Sequence, residues 1–385
     1  MNIYVHIPFC HSKCAYCAFL SHCNINDEDA YVTALGSEIH NSSFIAHDSI
    51  TTIYFGGGTP SMINPSNIAE IIETLRESSP FAAEIEITLE SNPEDINNES
   101  LLAWKAAGIN RLSIGVQSLN DAVRKKIGRT LRSAEVLRRI RLASSIFPNV
   151  AIDLISALPE ETNESLCSTL ERIIELGIPH ISLYDLETNN ESAIGKNPQK
   201  FALPNDEHAS EMLLSSWRIL AGNGYEQYEI SNFARKQNAS SKGLSLNGPT
   251  VVGRKGSSLD PNYNYCRHNL DFWNGQDYLG FGLGAASRIG ANITTNSSKF
   301  ETYLAETKDD RTVETLSQGE LLRLEVASSL RLNKLINEVI FVSTKGLESL
   351  YLEGLITSVE NPYLTPRGKL LSDSVLRFLL DDVKL

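Results

Sequence analysis

The chain has 385 residues, more than one small core can use, with 42% hydrophobic and 21% charged residues, which excludes a fibrous or disordered protein. A formal net charge of −13 disfavours a role built on neutralising nucleic-acid phosphates. No apolar run reaches the roughly 18 residues of a membrane span, and the opening "MNIYVHIPF" lacks the basic start of a signal peptide, so a cytoplasmic setting is expected.

In chain order, short β-branched or aromatic runs end in polar or glycine-rich turns: "IYVHI" from residue 3, "TIYF" from 52, "EIEITLE" from 84, "RLSIGVQ" from 111, "VAIDLI" from 150, "HISLYDLE" from 180 and "YEQYEI" from 225. Amphipathic stretches fall between them, among them "SNIAEIIETLRESS", "NESLLAWKAAG" and "NESLCSTLERIIELG", the last two opening on capping residues and closing on glycine. Six or seven βα units predict an α/β fold, a full or partial (β/α) barrel of TIM type over residues 1–234. Residues 235–264 change texture, with five Lys or Arg against one Asp among many Ser, Gly and Asn, and read as a mobile basic insert. A joining segment at 265–313 and a smaller, mostly helical, winged-helix-like domain at 314–385 complete the expected organisation.

Cys10, Cys14 and Cys17 form CxxxCxxC directly after the first strand, in a chain with six cysteines in all. Thiolates at this spacing converge on a soft metal centre, either a tetrahedral zinc or an iron–sulfur cluster. Zinc needs a fourth ligand, which Cys23, His6, His11 or His22 could supply. A 4Fe–4S cluster on three cysteines keeps one iron free of protein ligands, and an open position suits a catalytic metal. Further on, "FGGGTPS" (55–61) lets backbone come close to a ligand, its amides being expected to bind the ligand's polar end; Gly57, Gly58 and Thr59 are the candidates. Glu90, Gln117 and Asp153 stand at or near the carboxyl ends of successive strands, where barrel sites lie, although each could instead cap the following helix. Arg129 follows twelve residues after Gln117, within reach of a carboxylate.

The CxxxCxxC spacing resembles the motif of the radical SAM family, whose members pass an electron from the cluster to S-adenosylmethionine (SAM) and release methionine and a 5'-deoxyadenosyl radical. "YVHIPFC", "YFGGGTPS", "LESNPE", "INRLSIGVQSLND", "IDLISALPEET" and "CRHNLDFWNGQDYLGFGLGA" are similar to the oxygen-independent coproporphyrinogen III oxidase family, and most to its haem chaperone HemW branch. That resemblance implies a cluster on Cys10, Cys14 and Cys17, and SAM contacts from Tyr4, Gly57, Gly58, Thr59, Glu90, Gln117, Arg129 and Asp153. It implies haem as a further ligand, with His268 of "HNLDFW" as its anchor, where the branch carries HNxxYW. A haem-acceptor protein of the respiratory chain is the implied partner, with peripheral membrane contact, no nucleic acid, and a flavodoxin or ferredoxin as electron donor where radical chemistry occurs. Oxidases of the family extend the cysteine motif to CxxxCxxCxC; this chain has Phe19 at the last position, which favours chaperone over oxidase. Three departures bear on the porphyrin end: Phe272 in place of Tyr, Ala157 in place of Gly, and Ala286 in place of His.

Overall fold

In the strands of the amino-terminal half, every second side chain is aliphatic and the intervening ones are polar. Ile3, Val5 and Ile7 alternate with Tyr4 and His6, Ile87 and Leu89 with Glu86, Thr88 and Glu90, and Leu112, Ile114 and Val116 with Arg111 and Ser113. A strand of this kind buries its aliphatic face against helices and turns its polar set to the other side of the sheet. In the computed structural model, which describes residues 1–42, 49–236, 263–305, 310–336 and 343–382, the result is a curved sheet with helices outside and polar groups inside.

Six strands, β1 (Asn2–Ile7), β2 (Ile50–Gly57), β3 (Phe81–Ser91), β4 (Arg111–Gln117), β5 (Asn149–Ser156) and β6 (His180–Asp185), pair in parallel and in sequence order. Between them run α1 (Glu28–His40), α2 (Pro65–Ser78), α3 (Asn98–Ala107), α4 (Asp121–Lys126), α5 (Ser133–Ile146) and α6 (Asn163–Glu175). After β6 come the short α7 (Ala193–Lys196) and then α8 (Asp206–Gly222). The helix starts follow from local chemistry: Asn97 with Ser100, and Thr162 with Ser165, close reciprocal capping boxes, and Pro65 follows the capping Asn64. One continuous core joins Ile3, Val5, Phe55, Leu89, Ile114, Ile152 and Leu183 of the sheet to Leu35, Ile71, Leu101, Ile140, Leu170 and Leu220 of the surrounding helices.

The expected seventh βα unit is absent. "YEQYEI" contributes only β7 (Tyr225–Gln227), which turns directly into β8 (Asn232–Arg235), and this hairpin adds antiparallel to β6. A connection of four residues cannot make the crossover that a parallel strand demands. On the opposite flank α9 (Arg267–Trp273) leads into β9 (Tyr278–Phe281), which pairs parallel to β1, and β10 (Ala286–Ile289) and β11 (Asn292–Thr295) continue outward antiparallel. After α10 (Phe300–Leu304), β12 (Thr312–Thr315) closes that flank, so the sequence boundary drawn at 313/314 falls inside a strand. Among the described residues the sheet is an open partial barrel of twelve strands with β12 and β7 at its edges.

The carboxyl-terminal region has its own core. Val326 and Leu330 of α11 (Gln318–Arg331), Leu347 and Leu350 of α12 (Thr344–Leu352) and Val375 and Leu379 of α14 (Ser372–Asp382) pack together, with α13 (Pro366–Leu370) between the last two helices. A bridge between Ile356 and Leu364 supplies the strand-like turn. The basic insert lies, apart from its ends, outside the described residues.

Candidate functional site

The parallel strands give the barrel two chemically different ends, and the cysteine loop leaves the carboxyl end of β1. It folds back at once: His22 donates its amide to the Pro8 carbonyl at 2.7 Å and accepts from the Cys10 amide at 3.1 Å, a parallel bridge between Phe9 and His22. Ala15 donates to Ile127 beyond α4 and accepts from Ile194 of α7, which fixes the middle of the loop. Cys10, Cys14 and Cys17 are free and half-buried. Burial pushes the Cys10 and Cys17 thiols up; the negative charges of Cys17, Cys14 and Cys23 add to this at Cys10, as that of Cys14 does at Cys17. The thiols are therefore near enough to repel one another when ionised, a situation that bound iron relieves.

This donor set fits an iron–sulfur cubane. Among the described residues no group of three or more His, Cys, Asp or Glu side chains gathers closely enough to ligate a single ion, which weighs against the zinc alternative, whose four donors surround one atom. A cubane distributes its thiolates over separate irons, and three soft thiols in a half-open loop suit it.

The glycine turn sits against this loop, but not in the manner expected. Its three amides are all engaged inside the protein: Gly57 donates to Glu90 Oε2 at 3.2 Å, Gly58 to the Ile7 carbonyl at 2.8 Å and Thr59 to the Phe9 carbonyl at 2.7 Å. Glycine is required at Gly57, where φ is +109° and a Cβ would collide with the His6 ring, and at Gly58, where one would meet the Pro8 and Phe9 backbone at 2.7 Å. The N–H groups of the turn are thus already used within the protein.

Two close-packed groups of polar side chains lie below and beside it. At Gly56 there is no room for a side chain, because Tyr4, Tyr54 and Glu90 all lie within 3.3 Å of where a Cβ would stand. The Tyr54 hydroxyl donates to Glu90 Oε1 at 2.9 Å. Burial, followed by the charge of Asp153, still pushes the Glu90 carboxyl up to about 7. Asp153 is itself raised by burial, against the hydrogen bonds of Ser182 and Ser113. At Gly115 a Cβ would stand 2.9 Å from Gln117 Nε2, 3.4 Å from Asn92 Oδ1 and 3.7 Å from Arg129 Nη2, so these three side chains converge there. Gln117 adopts φ +67°, strained for a non-glycine residue.

A polar chain connects these side chains to the cysteines. Cys10 Sγ lies 3.4 Å from Thr59 Oγ1, Asn92 Nδ2 donates to Thr59 Oγ1 at 3.2 Å, Arg129 donates to Asn92 Oδ1, and Arg129 Nη2 donates to the Tyr16 hydroxyl at 3.2 Å back within the cysteine loop. Sequence reasoning missed Asn92, Tyr16 and Tyr54. Asn92 stands in the quoted "LESNPE" two residues beyond Glu90, and this i, i+2 step on one strand was the available signal. His6 was weighed only as a zinc ligand; it joins the barrel bore to the loop through Tyr4 Oη at 3.1 Å and the Leu20 carbonyl at 3.0 Å, and burial keeps its imidazole neutral.

His268 is at the other end. It opens α9, which lies across the amino ends of the strands: Glu86 accepts the Arg267 and His268 amides at 3.1 Å each and the buried Cys266 thiol. The His268 ring is 5.1 Å from Tyr54, stacked, with Nδ1 2.8 Å from Thr52 Oγ1, and burial holds it down at about 3, a neutral imidazole. Phe272 is exposed, its edge against Trp273 and Tyr278, so the hydroxyl missing there costs no buried hydrogen bond. Trp273 lies beneath Arg331 of α11 at 4.5 Å, and Arg331 also donates to Glu229 at 2.7 Å and Ser231 at 3.0 Å, tying the carboxyl-terminal helices to α9 and to the β7–β8 turn.

Comparison with known proteins adds kinship to this geometry. The model of the radical SAM superfamily matches residues 4–173. The chain is similar to the "Heme chaperone HemW" of Lactococcus lactis, 29% identical over 99% of this chain and 98% of that protein. With the protein of the same name from Escherichia coli it shares 32% identity over 75% of this chain and 70% of that one. Among solved structures, coproporphyrinogen III oxidase (HemN) from Escherichia coli, a radical SAM enzyme, superposes with a TM-score of 0.77 at 26% identity, covering 100% of this chain and 90% of that one.

Proposed function

The chain belongs to the radical SAM superfamily, in the family of HemN and HemW, and from that premise we propose that it binds haem and passes it to an acceptor haemoprotein. The observation that carries the reading is likeness along nearly the whole chain to proteins named heme chaperones. The superfamily implies a 4Fe–4S cluster and SAM, and when bound they supply one-electron chemistry at an iron that the protein leaves open.

In this reading Cys10, Cys14 and Cys17 hold the cluster. Tyr4, Glu90 and the turn at Gly57, Gly58 and Thr59 receive the polar end of SAM: Glu90, once ionised, accepts one N–H of its amino group, and the carbonyls of the turn accept the other. Gln117 and Arg129, which converge beside Gly115, orient the ligand, and Asp153 lies deeper in the bore. Asn92 keeps Thr59 and Arg129 in place. The haem acceptor is a respiratory haemoprotein met in the cytoplasm or at the membrane surface; among the described residues no helix is long and apolar enough to cross a membrane. An electron donor such as a flavodoxin or ferredoxin is needed only where SAM is cleaved. Because Thr52 holds His268 Nδ1, the nitrogen that would meet haem iron is Nε2, with the Thr52 hydrogen bond fixing the tautomer and orientation of the ring.

The second reading, a coproporphyrinogen III oxidase, is favoured by the likeness of fold to HemN. Phe19 in place of the oxidases' further cysteine opposes it. One anaerobic experiment separates the two: protein with SAM and reductant is offered haem plus an apo-haemoprotein, or coproporphyrinogen III. Haem appearing in the acceptor supports the chaperone; protoporphyrinogen, with 5'-deoxyadenosine, would establish the oxidase instead.

A further inference from the structure

The loop that carries the cluster cysteines brings a fourth thiol to the same place. Residues paired across a parallel bridge point their side chains to one face, and their neighbours point to the other. At the Phe9–His22 bridge the first face is fixed by packing: the His22 ring stacks on Phe300 at 3.9 Å and 4°, and Phe9 meets both rings edge-on. The next pair, Cys10 and Cys23, therefore shares the opposite face, where Cys10 meets Thr59 and the other cluster thiols. Both sides of Cys23 are anchored. His22 is held by the bridge and lies 3.4 Å from Asp27, while Asn24 caps the turn Ile25–Asp27. Cys23 itself is exposed and free.

We propose that Cys23 is a displaceable fourth ligand of the cluster, its thiolate holding the iron that Cys10, Cys14 and Cys17 leave open until SAM takes that position. The inference rests on the cluster assignment above. A fourth thiolate completes the four-cysteine set that ordinary clusters use and keeps solvent and oxygen from the labile iron. The exchange would involve no redox change: the iron–sulfur bond to Cys23 would break, the amino and carboxylate groups of SAM would bind that iron, and the released thiolate would take up the proton that the ammonium of SAM gives up on binding. Two tethered donors displace one because the second binds intramolecularly. The exposed position gives the released thiol a place to go.

The test uses the full chain reconstituted anaerobically with iron-57, as wild type and as Cys23→Ala, each with and without SAM, read by Mössbauer spectroscopy and by the rate at which iodoacetamide alkylates Cys23. The expected result is four sulfur-ligated irons in wild type without SAM, one distinct iron in Cys23→Ala, identical spectra once SAM is added, and alkylation at least about tenfold faster with SAM present. Identical spectra of wild type and variant without SAM, or alkylation indifferent to SAM, would overturn the proposal while leaving the three-cysteine cluster standing. Failure of wild type to take up iron and sulfide at all would overturn both.

Discussion

Glu90 offers a quantitative handle on the SAM site. Its carboxyl is raised to about 7 by burial and by Asp153, so it is mostly neutral at pH 6 and mostly ionised at pH 8. If the amino N–H of SAM is held only by the ionised form, the apparent dissociation constant scales with one plus the ratio of protonated to ionised Glu90, which falls about tenfold between those pH values. An ordinary glutamate would titrate below this window and contribute no change. The amino group of SAM itself loses a proton near the upper end of the range, but does so equally for every protein variant. The ratio of affinities, wild type to Glu90→Gln, therefore isolates Glu90. That ratio is expected to rise about tenfold from pH 6 to pH 8, on top of an offset of about 10-fold or more from the lost charge-assisted hydrogen bond. Anaerobic equilibrium dialysis with labelled SAM measures it. A ratio flat across the range would refute the argument, either because Glu90 does not meet the amino group or because its carboxyl is not raised.

Cys14→Ala is expected to abolish cluster assembly, checked by iron and sulfide analysis after reconstitution; undiminished content would remove it from the ligand set. His268→Ala removes a buried ring and its bond to Thr52, and should lower stability by about 2–3 kcal/mol in a denaturant melt. Haemin titration well below the melting temperature then asks whether affinity falls as well, and unchanged affinity would make His268 a structural residue only. Ala157 stands at φ +62°, a left-handed conformation that costs a side chain about 1 kcal/mol, so Ala157→Gly should raise stability by about that amount; a loss would mean that its methyl packs usefully.

The barrel was legible because the chemistry of its strands has period two, and no other arrangement buries Ile3, Val5 and Ile7 while collecting Tyr4 and His6. The cysteines and glycines were legible because each has a function few other residues can perform. Harder to read was the connection between them. Asn92 matters through a side chain that spans from Thr59 to Arg129, and Tyr16 through a hydroxyl that meets Arg129 across 113 positions of sequence, neither of which spacing reveals. The glycine amides were expected to face a ligand, but the parallel pairing of β2 with β1 and the nearby Glu90 carboxylate use them. His268 could be recognised by its motif but not located. Nothing between Arg235 and the motif says at which end of the strands α9 will land, and Glu86, which fixes it there by accepting its first amides, is 182 residues away. The hairpin in place of a seventh unit follows from a four-residue turn whose shortness the run "YEQYEI" concealed.

Because the strands send their aliphatic side chains outward, the bore is packed with polar side chains, among them Glu90, Asp153, Arg111, Ser113, Tyr54 and His180. A flat, greasy macrocycle entering there would have to part these buried groups from one another and would leave them unsatisfied.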